Sequence, residues 1–151
     1  MLALAFLAAA ALSPAEEAAV FTAAGFTRKG NHWRTDCDDP GTPGYGPGAI
    51  ETYRDLNGDG RPEAVVTEGG SFCYGNTGTG FWLLSKQAGG SWKVLYQSQG
   101  IAEFLKTRGV ANMPDMSIGG PGFCFLVVRW NGKEYVKNRF EYEGKPCKPP
   151  T

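Results

Sequence analysis

The chain has no excess of either charge. Its 15 Lys and Arg balance 15 Asp and Glu across 151 residues, so no net field draws nucleic acid or an anionic membrane surface. Histidine is nearly missing. His32 is the only one, next to Trp33 and Arg34 in what reads as a strand entering the core, a setting that suits a structural residue better than a catalytic base. There is no Gly-x-Ser-x-Gly elbow and no phosphate-binding glycine loop with its lysine. No two cysteines are spaced as Cys-x-x-Cys, which removes the usual zinc arrangement. The apolar run Leu2 to Leu12 is well short of the roughly 20 residues needed to span a bilayer. The acid pairs Asp38-Asp39 and Glu16-Glu17 lie in a Gly/Pro-rich loop and near the N-terminus, and no recognisable catalytic constellation accompanies them. These absences point away from an enzyme.

What is present begins with a pattern of export. Leu2 to Leu12 reads as the apolar core of a signal peptide, with the small residues Ser13-Pro14-Ala15 as a cleavage site before Glu16-Glu17. The expectation is a signal peptide over residues 1–15, a single domain over 16–151, and a periplasmic or secreted location. Ser13 and Pro14 also read as the N-cap and first position of a short helix over Ala15–Thr22, closed by Gly25. All four cysteines, Cys37, Cys73, Cys124 and Cys147, follow the signal. An even count in an exported chain implies two disulfides, with three possible connectivities. With 22 glycines, 10 prolines and 13% aromatics, the composition implies tight turns between strands. The expected class is mainly β with a minor helical part: antiparallel sheets and a short N-terminal helix.

The most informative segment is Asp55-Leu56-Asn57-Gly58-Asp59-Gly60-Arg61-Pro62-Glu63. Side-chain oxygens recur at every second position through Asp55, Asn57 and Asp59. Glu63 follows, and the Arg61 carbonyl can fill the gap. Gly58 and Gly60 let the chain fold back where a Cβ would clash. Hard divalent cations take six to eight such oxygens, so the segment reads as a Ca²⁺ ligand set: Asp55, Asn57, Asp59, Arg61 and Glu63. The plainer alternative is a hairpin turn, since Asn-Gly and Asp-Gly are strong turn signals and Ala49–Arg54 and Glu63–Glu68 can be its strands. A turn alone needs neither both dipeptides nor the acid at the ninth position. An EF-hand needs a Glu eleven residues after its first Asp, and Val66 stands there.

The pattern Asp-x-Asn-x-Asp-Gly-x-x-Glu, followed by Ala64-Val65-Val66, resembles the calcium loop of FG-GAP and VCBS repeats, the blades of integrin-like β-propellers. That family usually has Asp where this chain has Glu63, and it repeats the loop, which occurs once here. The resemblance implies a blade-like β fold with a structural Ca²⁺. Ser71–Gly80 and Gly119–Gly132 also resemble segments of small secreted bacterial proteins of unknown function.

A half-hidden repeat supports two blade-like units. Pro62-Glu63-Ala64-Val65-Val66, then Gly69-Gly70-Ser71-Phe72-Cys73-Tyr74, parallels Pro114-Asp115-Met116-Ser117-Ile118, then Gly119-Gly120-Pro121-Gly122-Phe123-Cys124-Phe125. If the Phe-Cys-aromatic segments are equivalent strands, Cys73 and Cys124 bridge the units and Cys37 pairs with Cys147, while Cys37–Cys73 with Cys124–Cys147 stays open. Ile101–Leu105 reads as one helical turn, and Asn131-Gly132 as the turn of a hairpin. The functional expectation is an exported, non-enzymatic, calcium-binding domain: a binding or scaffold module of the bacterial envelope, monomeric, with a protein or cell-wall component as partner and no nucleic acid or membrane span. One alternative is a periplasmic inhibitor or immunity protein against a cell-wall hydrolase. The other is a metal-assisted hydrolase using the ion to activate water.

Overall fold

The computed structural model describes residues 12–150, so residues 1–11 of the expected signal peptide lie outside the described residues. The chain is mainly β with one short helix before the sheets, α1 (Pro14–Ala23). Ser13 caps α1 by accepting the Glu16 amide at 3.1 Å, and Pro14, Glu16 and Glu17 fill its first turn, where a missing N–H costs nothing and negative charge suits the helix end. Gly25, at φ +89°, follows the helix. Glu16 is tied to the body of the domain, accepting from Lys86 Nζ at 2.6 Å and Trp92 Nε1 at 2.9 Å.

A hairpin of β1 (Thr27–Lys29) and β2 (His32–Arg34) comes next. His32 is exposed on it, so the strand expected to carry it into the core leaves it in water. The first large sheet is an antiparallel meander of β3 (Gly46–Arg54), β4 (Glu63–Gly69), β5 (Thr79–Lys86) and β6 (Trp92–Gln99). The second runs through β7 (Ile101–Arg108), β8 (Pro114–Gly119), β9 (Phe125–Trp130), β10 (Tyr135–Tyr142) and β11 (Lys145–Pro146). The chain crosses between sheets at Gly100, where φ is +128° and an added Cβ would sit 2.5 Å from the Gly119 carbonyl oxygen. Only glycine fits there without a backbone shift.

The repeat in the sequence therefore corresponds to two successive meanders, and Glu63 and Asp115 each lie at the start of the second strand of their own meander. Two expectations are corrected. Ile101–Leu105 is the start of β7, because its backbone pairs with Ile118, Ser117 and Met116 of β8. The Phe72-Cys73-Tyr74 segment is not a strand. It belongs to a single helical turn, α2 (Ser71–Tyr74), between Gly70 at φ +129° and Gly75 at φ +58°. Strand alternation does not apply in α2, and Tyr74 is buried while Phe72 is 59% exposed.

The middle of the molecule is β4 and β5, apolar on both faces. Ala64, Val66, Trp82 and Leu84 pack against Val20 and Phe21 of α1 and against Phe26. The alternate residues Val65, Phe81 and Leu83 pack against Met116, Val128 and Tyr135 of the second sheet. Side chains alternate across a strand, so one sheet serves two cores and the domain has three layers. The unbroken apolar runs Ala64–Val66 and Phe81–Leu84 are the sequence mark of strands covered on both sides.

Disulfides join Cys37 to Cys73 and Cys124 to Cys147, with Cα separations of 6.0 and 5.8 Å. This corrects the symmetric pairing of Cys73 with Cys124. Each bridge stays inside its own unit. The N-terminal segment lies over α2, where the Thr35 hydroxyl and amide bond Glu68 of β4. The C-terminal strand folds back along β10, where the Cys147 amide donates to the Phe140 carbonyl at 3.1 Å, and Phe140 pairs with Leu126 beside Cys124.

In the second sheet, Asp115 is fully buried. It accepts from Arg129 Nε and Nη2 at 2.9 and 2.8 Å, from Arg139 Nη1 at 2.9 Å and from Thr107 Oγ1 at 2.6 Å. Burial opposes its charge, but the Arg129, Thr107 and Arg139 donors outweigh it and hold the carboxyl far below the usual range. Asp115→Ala is expected to lower the unfolding free energy by about 3 kcal/mol, the low end for breaking a buried pair, because both arginines can still reach water. Urea titration checks this. Adding Arg129→Met to Asp115→Ala should recover part of the loss, since one stranded cation is removed.

Candidate functional site

The expected calcium loop forms the β3–β4 connection, between Arg54 and Glu63, which pair across the hairpin. Gly58 and Gly60 have φ of +79° and +85°, as the ladder of oxygens requires. The carboxylate of Asp55 accepts from the Gly58 and Gly60 amides, both at 2.8 Å, and from Asn57 at 3.2 Å. Asn57 Oδ1 accepts from the Asp59 amide at 3.3 Å, and Asp59 Oδ1 from the Arg61 amide at 2.8 Å. Asp59 also pairs with the Arg61 guanidinium at 3.1 Å. Desolvation works against the charge of Asp55, but the Gly60, Gly58 and Asn57 amides prevail and hold its carboxyl below the usual range. The short polar side chains thus close the loop on its own amides, the ordinary chemistry of Asx turns. Among the described residues, no three His, Cys, Asp or Glu side chains stand together as a ready metal group.

Glu63 differs from the rest of the loop. It is 0% exposed and turns beneath the loop, accepting from the Leu56 amide and from Ser85 Oγ, both at 2.8 Å. Among the described residues it has no ion-pair partner. Burial raises its pKa first, against the Leu56 and Ser85 hydrogen bonds, and the charges of Asp59 and Asp55 raise it further. The loop is also anchored to the other sheet. Arg108 Nη1 donates to the Leu56 carbonyl at 2.9 Å and Asn112 Nδ2 to the Asn57 carbonyl at 3.2 Å. Asn112 and its neighbour Ala111 take φ of +62° and +54°, conformations that non-glycine residues adopt at some cost.

A second buried carboxylate, Glu68, lies at the other end of β4. It accepts from the hydroxyls of Thr35, Tyr45 and Tyr74, the tyrosines at 2.6 Å each, and from the Thr35 amide at 3.1 Å. Arg34 Nε donates to the Tyr45 oxygen at 3.1 Å, and its guanidinium lies 4.4 Å over the Tyr45 ring. Burial and the neighbouring carboxylate push the Tyr45 phenol up to about 12. Asp39 is buried nearby and bonds the amides of Gly41 and Thr42 at 2.8 Å, which ties the 38–45 loop together. Asp39 and the loop at 55–63 stand at opposite ends of β3 and β4, so these acids do not converge on one cleft.

The three buried acids that lie on strands have three different solutions. Asp115 has two arginines, Glu68 has hydroxyls backed by Arg34, and Glu63 has only neutral donors and two like charges nearby. The Pro-acid repeat signals Glu63 and Asp115 in the sequence. Nothing signals Glu68, whose partners come from residues 35, 45 and 74 and meet only in the folded chain. Compared with known family models, curated proteins and solved structures, the chain matches none.

Proposed function

We propose that this is an exported, non-enzymatic binding domain whose 55–63 loop takes up Ca²⁺ as a structural ion. The observation that carries this reading is the burial of the Glu63 carboxyl with no cation beside it among the described residues. A buried carboxylate without a cation is costly, and the equivalent Asp115 is matched by two arginines. A divalent cation between Glu63, Asp55 and Asp59 would supply the missing positive charge, with Asn57 and the Arg61 carbonyl as neutral oxygens. The ion would displace loop amides and the Arg61 guanidinium from these oxygens, so affinity should be modest, about 10⁻⁴ to 10⁻³ M as in extracellular modules. Export is supported by the two disulfides, which persist in oxidising compartments, and by the apolar run Leu2 to Leu12. Within 55–63 there is no Ser, Thr, Cys, Lys or His, and an ion held between two strands would fix the hairpin rather than a substrate.

Melting curves with about 5 mM calcium and with EDTA test the reading. The expected gain is about 1–2 kcal/mol, or a few degrees, by mass action. Its pH dependence follows from Glu63. The folded chain holds this proton more tightly than the unfolded one, so the contribution of Glu63 to the calcium-free domain is fully present below its ordinary value of 4.5 and is lost as pH rises through the raised value. Calcium needs the ionised carboxylate, so its stabilising effect should be small at about pH 4 and full at about pH 8. Glu63→Gln should raise the melting temperature without calcium and lose the response to it, since the Gln oxygen can still accept the Leu56 amide while Ser85 rotates to accept the new N–H. An unchanged melting temperature in calcium, with Asp59→Ala matching the wild type, would overturn the proposal.

A further inference from the structure

At the end that carries the 55–63 loop, residues of both sheets line a cavity of about 420 Å³. This lies at the lower end of the roughly 300–1,000 Å³ that small-ligand sites occupy. Its walls come from both sheets, so it is a feature of the assembled domain and not of one hairpin. The apolar part is formed by Met113, Leu95 and Trp130. The rim is cationic. Arg61, Lys93 and Lys133 line it against a single acid, Asp59, in a chain whose charges balance overall. Asp59 is already paired with Arg61. Lys93 and Lys133 make no ion pair among the described residues, and both are exposed.

The neutral polar groups of the wall also have capacity left. Asn57 uses its oxygen on the Asp59 amide, Ser85 uses its proton on Glu63, and Gln87 uses its side-chain nitrogen on the Ser85 carbonyl. That leaves the Asn57 amide nitrogen as a donor, with the Ser85 oxygen and the Gln87 side-chain oxygen as acceptors. Donors and acceptors close together match hydroxyl groups, which do both. The Lys93 and Lys133 ammonium groups, beside the Arg61 guanidinium, favour an anionic group, and a carboxylate suits both kinds of cation. A partly buried indole beside a methionine offers an apolar face for a ring.

We propose that this cavity binds a small carboxylated sugar, its carboxylate between Lys93 and Lys133, its hydroxyls on Asn57, Ser85 and Gln87, and its ring against Trp130. The proposal does not rest on calcium, and the test is run in EDTA and again in calcium, so that failure of one reading leaves the other measurable.

Sodium glucuronate, glucose and inorganic phosphate are titrated into the ¹⁵N-labelled protein and followed by NMR. Glucuronate is expected to move the amides of residues 57, 93 and 133. Glucose and phosphate should each bind about tenfold or more weakly, one lacking the charge and the other the ring and hydroxyls. The Lys93→Gln/Lys133→Gln pair should weaken glucuronate about tenfold while leaving the melting temperature unchanged, since both side chains are exposed. Lys133→Gln alone, on a turn, serves if the double variant is unstable, with a smaller loss expected. Equal binding of glucose and glucuronate would overturn the proposal. So would phosphate binding as tightly as glucuronate, unchanged affinity in the lysine variants, or shifts confined to residues outside the cavity.

Discussion

Replacing Cys37 and Cys73 together by serine is expected to lower the unfolding free energy by about 4 kcal/mol. The bridge closes a 36-residue loop, and the chain-entropy model assigns about that value to a loop of this length. The corresponding figure for Cys124–Cys147, whose separation is 23 residues, is about 3 kcal/mol. The larger effect also has a structural consequence. Cys37 holds the 35–45 segment over α2, and that segment supplies Thr35 and Tyr45 to Glu68. Losing the bridge should therefore expose the Glu68 cluster before the sheets unfold. Urea titration measures the free energy, and hydrogen exchange at the Thr35 amide reports the local opening. Mass spectrometry of unreduced peptides checks the pairing. The native protein should contain no alkylatable thiol, because no cysteine is free among the described residues, and a Cys73–Cys124 peptide would contradict the connectivity.

Glu68→Ala should cost about 3–5 kcal/mol. It leaves three hydroxyls and the Thr35 amide without their acceptor, and each buried orphan costs about 1–3 kcal/mol, with water able to reach only those near the surface. Tyr74 is 7% exposed and cannot turn to solvent. Tyr45 keeps Arg34 but loses the oxygen to which it donates. Burial opposes the charge of Glu68, yet the bonds from Thr35, Tyr45 and Tyr74 outweigh it and lower the carboxyl pKa. The folded state thus holds this proton less tightly than the unfolded state. The stabilisation is present above the ordinary value of 4.5 and is lost as pH falls through the lowered value. Wild type should lose stability on acidification across this window, and Glu68→Gln should show a flatter profile there. Equal acid sensitivity of the two would show that the cluster does not depend on the carboxylate.

Glu68 and Glu63 act in opposite senses on the same strand. Raising the pH through the carboxylate range strengthens the contribution of Glu68 and weakens that of Glu63. The difference lies in their partners, since burial pushes both in the same direction. Four donors surround Glu68, whereas Glu63 has two donors and two neighbouring acids. A nearby cation would therefore favour the ionised form of Glu63, at the 55–63 end of β4.

Several features that depend on neighbours along the chain were legible in the sequence. Ser13 and Pro14 start α1 because capping is local, Gly58 and Gly60 shape the 55–63 loop because positive φ is a property of single residues, and Asn131 closes the β9–β10 turn by accepting the amides of Lys133 and Glu134. The apolar run Ala64–Val66 marked a strand, and the Pro-acid repeat marked two related β units, which are two successive meanders. Tertiary structure decided what depends on residues distant in sequence. Ile101–Leu105 became a strand because β8 offered its backbone groups. Ser71–Tyr74 became a helical turn between two positive-φ glycines, which sent Tyr74 inward to Glu68 and Phe72 outward. The cysteines paired within units because each chain end packs on the sheet nearest to it, a fact that symmetry between the segments does not contain. Even the fate of the acids was non-local. Glu63, Glu68 and Asp115 are all buried carboxyl groups on strands, and only the partners delivered from other strands and loops make one a stabilising centre, one a clamp and one a carboxyl with no cation beside it.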